Sequence, residues 1–482
     1  MDPATATRRG FLAGALGAGA ALGLAACGSN AAGGTAPAAA GPIAPPTTLT
    51  PPPPGPPGPG ATPLPPFRLF ADESMNFDAL FGLGESAYGI SEAGEVVTAV
   101  NQANAAGAGY DGYVTAFRAM GDRLAAASDA ATAAGDRVTA RDTALRAASY
   151  YTRAVFFVLG TADPGDEKAL YAEYRKGWDR GVSGAGLAIG SRPAAEIVQI
   201  PYGDGGLTGW LFRPDDSGTA RRTVIVNNGS DAQGVELIAY GVRAALDRDW
   251  NALVFEGPGQ GAMLFERGIP FRPDWEKVIT PIVDLLSGRD DVAANAIALT
   301  GWSMGGELVA RAAAYEHRLA ALVADPPAVD MWRTLPDQVR QIVDPDDPER
   351  TNTIWNEHMV PGMSPEQRFT VAKRMEIYTP EAHRAALAGH PTRDFAAVAA
   401  RMKKFTVAED TPRIRCPTLV LDYEGESFYP GQPEEFLSLL TVDDKTLVTL
   451  TAADGAQYHC APMAPARRNE VVFDWLDDAV PG

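Results

Sequence analysis

The chain has 482 residues, 46% of them hydrophobic, with 41 Lys and Arg against 60 Asp and Glu, a formal net charge of −19. That is ample apolar material for a large core and more than one packed layer. An acidic chain without a basic stripe has no clustered cations to neutralise phosphates, which excludes nucleic acid as a partner.

The N-terminal residues read Thr7-Arg8-Arg9-Gly10-Phe11-Leu12, followed by a short run rich in Ala and Gly up to Ala26. A basic start with a brief apolar stretch has the pattern of a signal peptide, here resembling a twin-arginine export signal over residues 1–26. The run ends in Leu24-Ala25-Ala26-Cys27, which resembles a bacterial lipobox with Cys27 as the lipidated residue. Residues 27–66, including "PPPPGPPGPG", cannot bury a core and read as an extended tether. At roughly 3 Å per residue it would reach about 100 Å. The expectation is an exported cell-envelope lipoprotein, in contact with a membrane only through Cys27.

Residues 67–190 show helical rather than alternating periodicity and are expected to form a helical cap domain. Val114, Phe117, Met120 and Leu124 mark one amphipathic helix, and Val138, Leu145, Ala148, Tyr151, Val155 and Val158 another. Asp163-Pro164 reads as the cap and first turn of a third.

The pattern changes in residues 191–482. "EIVQIPY" and "GLTGWLFRP" alternate like a hairpin, and "RTVIVNNGS" is a buried strand. A helical stretch at 235–248, a strand at 251–255 running into "EGPGQG", and a helix near 275–286 follow. The strand at 297–300 enters "GWSMGG", and the next strand ends at Pro327. Residues 328–413 read as a helical insertion. "CPTLVLDYEGE" then resumes the sheet, "KTLVTL" supplies its last strand, and a helix at 464–476 closes it. Short apolar strands alternating with helices predict an α/β fold, a mostly parallel sheet with helices on both faces and ligands at the strands' carboxyl ends.

Gly301-Trp302-Ser303-Met304-Gly305 lies between a strand and a helix, the context in which Gly-x-Ser-x-Gly forms a nucleophile elbow. The sharp turn requires the glycines and lifts the Ser303 hydroxyl above the sheet. A base and an acid should follow in the order Ser, Asp or Glu, His. His459 is the only histidine after the strand at 418–423, and it falls at the same sheet end as Ser303. His317 lies too far along the helix, and His358, His383 and His390 are expected at surface or cap positions. The acid candidates are Asp422, Glu424 and Glu426, with Asp422 still inside the strand. Met304 and Ser230 are expected to give the two backbone N–H donors of an oxyanion hole. No metal-ligand spacing is visible, and neither a metal nor an organic cofactor is expected. Cys416 precedes a strand and Cys460 follows one. A strand spans roughly 20 Å and a disulfide needs Cα atoms within about 7 Å, so both should be free thiols.

"GEVVTAV", "ARDTALRAASYYTRAVFF", "FEGPGQG", "GWSMGG", "YEGESFYPGQPEEF" and "GAQYHC" together resemble α/β-hydrolases with an N-terminal helical cap. That branch includes 2,6-dihydroxypseudooxynicotine hydrolase and fermentation-respiration-switch-like proteins, often labelled dipeptidyl-aminopeptidase- or acylaminoacyl-peptidase-like. The resemblance covers roughly residue 77 onward. It implies Glu426, nine residues after Pro417, as the acid, with Glu424 second. Glu256, where many relatives carry Asp, and Asn227-Asn228-Gly229, where His-Gly or Gly-Gly is usual, depart from the branch pattern. The activity implied is a serine hydrolase acting on an ester or amide of a small molecule. Carbon–carbon cleavage of a diketone and peptide trimming are the enzymatic alternatives, and a surface binding lipoprotein is the non-enzymatic one. The oligomeric state, a homodimer included, is open.

Overall fold

A computed structural model describes residues 68–183 and 192–480. The expected signal, Cys27 and the tether lie outside the described residues, as does the end of the expected cap region at 184–190.

Five helices come first: α1 (Glu73–Glu85), α2 (Ala93–Ala105), α3 (Tyr110–Ala134), α4 (Arg137–Phe157) and α5 (Glu167–Ser183). Their apolar faces bury Val96, Phe117, Leu124, Leu145, Tyr151 and Trp178. Gly121 lets α3 approach α4 closely, since any Cβ there would stand 2.8 Å from the Tyr151 ring. Val138 departs from the expected apolar face: it is 48% exposed in the first turn of α4. Asp163 makes no capping bond with its side chain, and residues Pro164–Asp166 form a 3-10 turn that leads into α5.

Eight strands form one sheet in the order β1-β2-β4-β3-β5-β6-β7-β8. They are β1 (Glu196–Ile200), β2 (Leu207–Phe212), β3 (Arg221–Asn227), β4 (Asn251–Phe255), β5 (Val292–Trp302), β6 (Ala321–Asp325), β7 (Thr418–Tyr423) and β8 (Lys445–Leu450). The β1–β2 and β2–β4 pairs are antiparallel, and the other pairs are parallel. The register sets Asn227 opposite Gly301, Trp302 opposite Asp325 and Tyr423 opposite Leu450. The loops after β3, β5, β7 and β8 therefore open at one edge.

The interleaved helices are α6 (Val242–Leu246), α7 (Gly261–Phe265), α8 (Glu276–Ser287) and α9 (Met304–Ala313). The helix expected over 235–248 is shorter than its pattern suggests. Gly241 takes an extended φ of 160°, which separates a 3-10 turn at Glu236–Ile238 from α6. A Cβ at Gly241 would lie 3.1 Å from Val226, so the chain passes close to β3 there. Between β6 and β7 come α10 (Asp337–Gln341), α11 (Pro348–Ile354), α12 (Pro365–Met375), α13 (Pro380–Leu387) and α14 (Phe395–Met402). Ser364 and Gln367 cap α12 reciprocally. Helices α15 (Gln432–Leu439) and α16 (Pro465–Ala479) complete the fold.

The first helices join the sheet layer through buried polar contacts as well as apolar ones. Arg153 on α4 binds Asp78, Glu85 and Glu236, all buried. Glu256, after β4, accepts from the Tyr171 hydroxyl at 2.8 Å and pairs with Arg175 at 3.2 Å, both on α5. The departure noted at Glu256 thus serves a contact between the helical layer and the sheet.

Candidate active site

Ser303 stands between β5 and α9 with φ 58° and ψ −128°, a left-handed conformation unfavourable for a side-chain-bearing residue. Its N–H donates to the Asp325 carbonyl at 2.7 Å, and its carbonyl accepts from Gly306 N–H at 2.8 Å. Added Cβ atoms at Gly301, Gly305 and Gly306 would fall 2.1 Å from Gly305 O, 2.7 Å from Asn228 O and 2.3 Å from Pro326 O. Only glycine lets backbone pass backbone at this spacing, which is how the sequence produces the turn.

Three side chains from separate loops meet there. His459 Nδ1 lies 2.7 Å from Glu426 Oε2, and its Nε2 lies 3.0 Å from Ser303 Oγ. The other Glu426 oxygen accepts from the N–H groups of Phe428 at 2.7 Å and Tyr429 at 3.0 Å. Burial works to raise the Glu426 pKa, but the His459 charge and hydrogen bond, with the two amides, outweigh it and hold it below the ordinary value. An ionised Glu426 only accepts, so Nδ1 carries the proton and Nε2 is free to accept from the serine. The rings of Phe428 and Tyr429 flank His459 at 4.5 and 5.4 Å.

Of the other candidates, Glu424 turns away, with Oε2 accepting from Ala452 N–H at 2.7 Å. Asp422 stays within β7, and burial raises its pKa to about 6. Cys416 and Cys460 are free and buried; burial raises both thiols, Cys416 to about 12, which keeps Cys460 protonated beside His459. The His317 ring makes one hydrogen bond among the described residues, from Nε2 with Ala314 O at 3.0 Å.

The expected oxyanion donors lie on the two sides of the serine. Met304 N–H heads α9, and Ser230 follows Gly229, where a Cβ would stand 2.6 Å from Trp302 O and 2.9 Å from Ser303 Cβ. Neither N–H has a hydrogen-bond partner among the described residues. The loop carrying Ser230 is held by Gln260, whose Nε2 donates to Asn228 O at 2.8 Å and Gly229 O at 3.2 Å. Gln260 belongs to the "EGPGQG" turn, where the sequence reading gave it no task. Asn228, in the unusual Asn-Asn-Gly run, accepts from Gly229 N–H at 2.8 Å through Oδ1.

Other residues around the site were missed altogether. Phe81 on α1 meets Trp302 edge-on at 5.5 Å, and Phe77 meets Phe428 at 5.8 Å. Their spacing of four residues was the available signal, one that any core-facing helix also gives. Arg374 on α12 pairs with Asp231 at 2.7 Å. His383 corrects an expectation: it is buried rather than at a surface or cap position, with its Nε2 3.0 Å from Glu167 Oε2. The Glu167 carboxylate stabilises its charged form and raises its pKa against the opposing effect of burial.

Glu167, Glu376 and His383 bring ligand-type atoms within 4.8 Å of one another, the one such group among the described residues. Lys373 Nζ bonds Glu376 at 2.7 Å within the same cluster, so an ammonium already supplies positive charge there. It joins α5 to α12 and α13 rather than touching Ser303.

The alpha/beta hydrolase family model matches residues 232–473, half of the chain, across the elbow, the acid loop and the histidine loop. The chain is a member of the alpha/beta hydrolase family. This hydrolase is 28% identical over 447 residues to Hydrolase ORFZ of Pyricularia oryzae, covering 85% of the chain and 97% of that relative. It is 30% identical over 284 residues to Hydrolase acrC of Aspergillus aculeatus, covering 55% of the chain but only 64% of that relative, less than two thirds of its length. Among solved structures the hydrolase is similar in fold to 2,6-dihydroxy-pseudo-oxynicotine hydrolase, with a TM-score of 0.55, 19% identity, and coverage of 76% of this chain and 88% of that one.

Proposed function

We propose that the protein is a serine hydrolase that cleaves an ester or amide bond of a small substrate. The observation that carries this reading is the continuous hydrogen-bonded run from Glu426 through His459 to Ser303, at 2.7 and 3.0 Å. Ser303 Oγ attacks the carbonyl carbon while its proton passes to His459 Nε2. Glu426 holds the imidazole in the competent tautomer and stabilises the imidazolium. The Met304 and Ser230 N–H groups receive the oxyanion, and loss of one such donor costs about 100-fold or more in rate. His459 then protonates the leaving group as the bond breaks. Water, deprotonated by the same imidazole, attacks the acyl-enzyme and releases the acid.

A fluorophosphonate probe tests the reading. The parent should be labelled, and Ser303→Ala and His459→Ala should not. A parent that resists labelling, or a labelled Ser303→Ala, would overturn it. Lipid anchoring at Cys27 is a separate part of the proposal. Membrane fractionation of the full chain against Cys27→Ser checks it, with loss of the membrane-bound fraction expected.

A further inference from the structure

Glu167, Glu376 and His383 form a group to which the mechanism above gives no task. They come from three elements: Glu167 opens α5, Glu376 caps the end of α12, and His383 lies on α13. The three residues are 1%, 0% and 5% exposed, and one ligand-type atom from each falls within 4.8 Å of the other two. His383 is 216 residues from Glu167, so no ligand spacing shows in the sequence.

Contacts within the protein leave the group incomplete. His383 Nε2 stands 3.0 Å from Glu167 Oε2, and Lys373 Nζ donates to Glu376 Oε1 at 2.7 Å. Glu167 Oε1 and Glu376 Oε2 have no hydrogen-bond partner among the described residues. Buried polar atoms are normally bonded, and buried charges are paired or hold a metal. One ammonium against two carboxylates leaves the group net negative, which attracts a cation. A proton on His383 would answer the charge, but its Nε2 reaches Glu167 Oε2 and leaves both free oxygens as they are. A divalent cation can bind an oxygen of each carboxylate and take the lone pair of a neutral imidazole. The 3.0 Å between Nε2 and Oε2 is close to the roughly 3.4 Å that separates two ligand atoms of a tetrahedral zinc with bonds of about 2.1 Å.

We propose that Glu167, Glu376 and His383 bind a divalent transition-metal cation that ties the N-terminal helices to the insertion. One imidazole with two carboxylates suits Zn²⁺ and similar ions rather than the soft metals that thiolates select. Lys373 is the positioning residue: its bond to Glu376 Oε1 orients the carboxylate, and the Phe156 and Phe265 rings confine the ammonium at 5.3 and 5.7 Å. The ion's task is structural, and the proposal stands apart from the serine-hydrolase reading.

The test uses the full chain, stripped with a chelator, freed of it and titrated with Zn²⁺ against a chromophoric competitor. One equivalent should bind per chain, and saturation should raise the Tm by about 3 °C or more. His383→Gln keeps a donor for Glu167, and Glu376→Gln keeps an acceptor for Lys373, so both variants retain the hydrogen bonds of the group. Each should bind Zn²⁺ about 100-fold more weakly or worse, at least the cost of disturbing a ligand's support. His459→Ala and Cys460→Ala should bind as the parent does, which separates this site from the triad. X-ray absorption of the zinc-loaded parent needs no variant to fold. It should show one imidazole and otherwise oxygen neighbours at about 2.0–2.2 Å. Absence of stoichiometric binding, unchanged affinity in His383→Gln and Glu376→Gln, or a spectrum with sulfur or more than one imidazole would each overturn the proposal.

Discussion

Replacing Glu426 by Gln changes one atom and should reverse a proton's position. Glu426 Oε1 accepts from two backbone N–H groups, at 2.7 and 3.0 Å, and Oε2 faces His459 Nδ1 at 2.7 Å. In Glu426→Gln the amide oxygen must face the two N–H donors, because an NH2 group there would meet donors only. The NH2 group then faces Nδ1, which has to accept and so gives up its proton. The proton moves to Nε2, 3.0 Å from Ser303 Oγ, where the imidazole can no longer act as base. Loss of the carboxylate charge also leaves the imidazolium unsupported. The expected fall in kcat/KM is about 10⁴-fold, or roughly 5 kcal/mol of transition-state stabilisation. The two backbone bonds survive, so the folded state should persist by circular dichroism. Ester hydrolysis and the second-order rate of fluorophosphonate labelling are the assays, with Glu424→Gln alongside. Glu424 is exposed and, among the described residues, bonds only backbone, so that variant should stay close to the parent. Retention of more than about a tenth of parent activity in Glu426→Gln, or an equal fall in Glu424→Gln, would refute the reasoning.

Gly229→Ala should reduce turnover by about 100-fold or more, since its Cβ would fall 2.6 Å from Trp302 O and displace either the nucleophile or the oxyanion loop; steady-state kinetics check it. Glu307, buried on α9 with Oε2 unpartnered among the described residues, has its pKa raised by burial to about 8. Between its ordinary value and about 8 the folded chain keeps a proton that the unfolded chain has lost, so stability falls as pH rises through that window. Glu307→Gln removes the loss: its Tm should exceed the parent's increasingly toward pH 8, and the pH-dependent gap should close below the ordinary carboxylate range. Cys416 and Cys460, buried and raised by burial, should resist a thiol reagent in the native chain and react once guanidinium unfolds it; rapid labelling of either in the native state would contradict their placement.

Ser303 and His459 could be read from sequence because their positions follow from local rules. A strand, a crowded glycine turn and a helix are contiguous, and successive parallel strands must open their loops at one edge. The same rule reduced the acid to the loop after β7, but two glutamates two residues apart both satisfied it. What separates them is where each carboxylate points: Glu426 toward the imidazole and Glu424 toward Ala452 N–H.

Tertiary structure decided whatever depends on a partner from a distant segment. Nothing in the sequence pattern of the insertion singles out Lys373 or Arg374, yet one is buried against Glu376 and the other meets Asp231, 143 residues away in sequence. His383 looked superficial because a short helix gives no sign of which face another layer will cover; Glu167, 216 residues away, made it a buried partner. Periodicity erred in the other direction at Val138, where an apolar residue in phase with its neighbours is left 48% exposed in the first turn of α4. Sequence by itself determined the elements, their order and the edge at which chemistry gathers, since spacing and backbone sterics act within a few residues. The identity of each charge's partner came only from packing, because a buried ion takes whichever counter-charge the fold delivers to it.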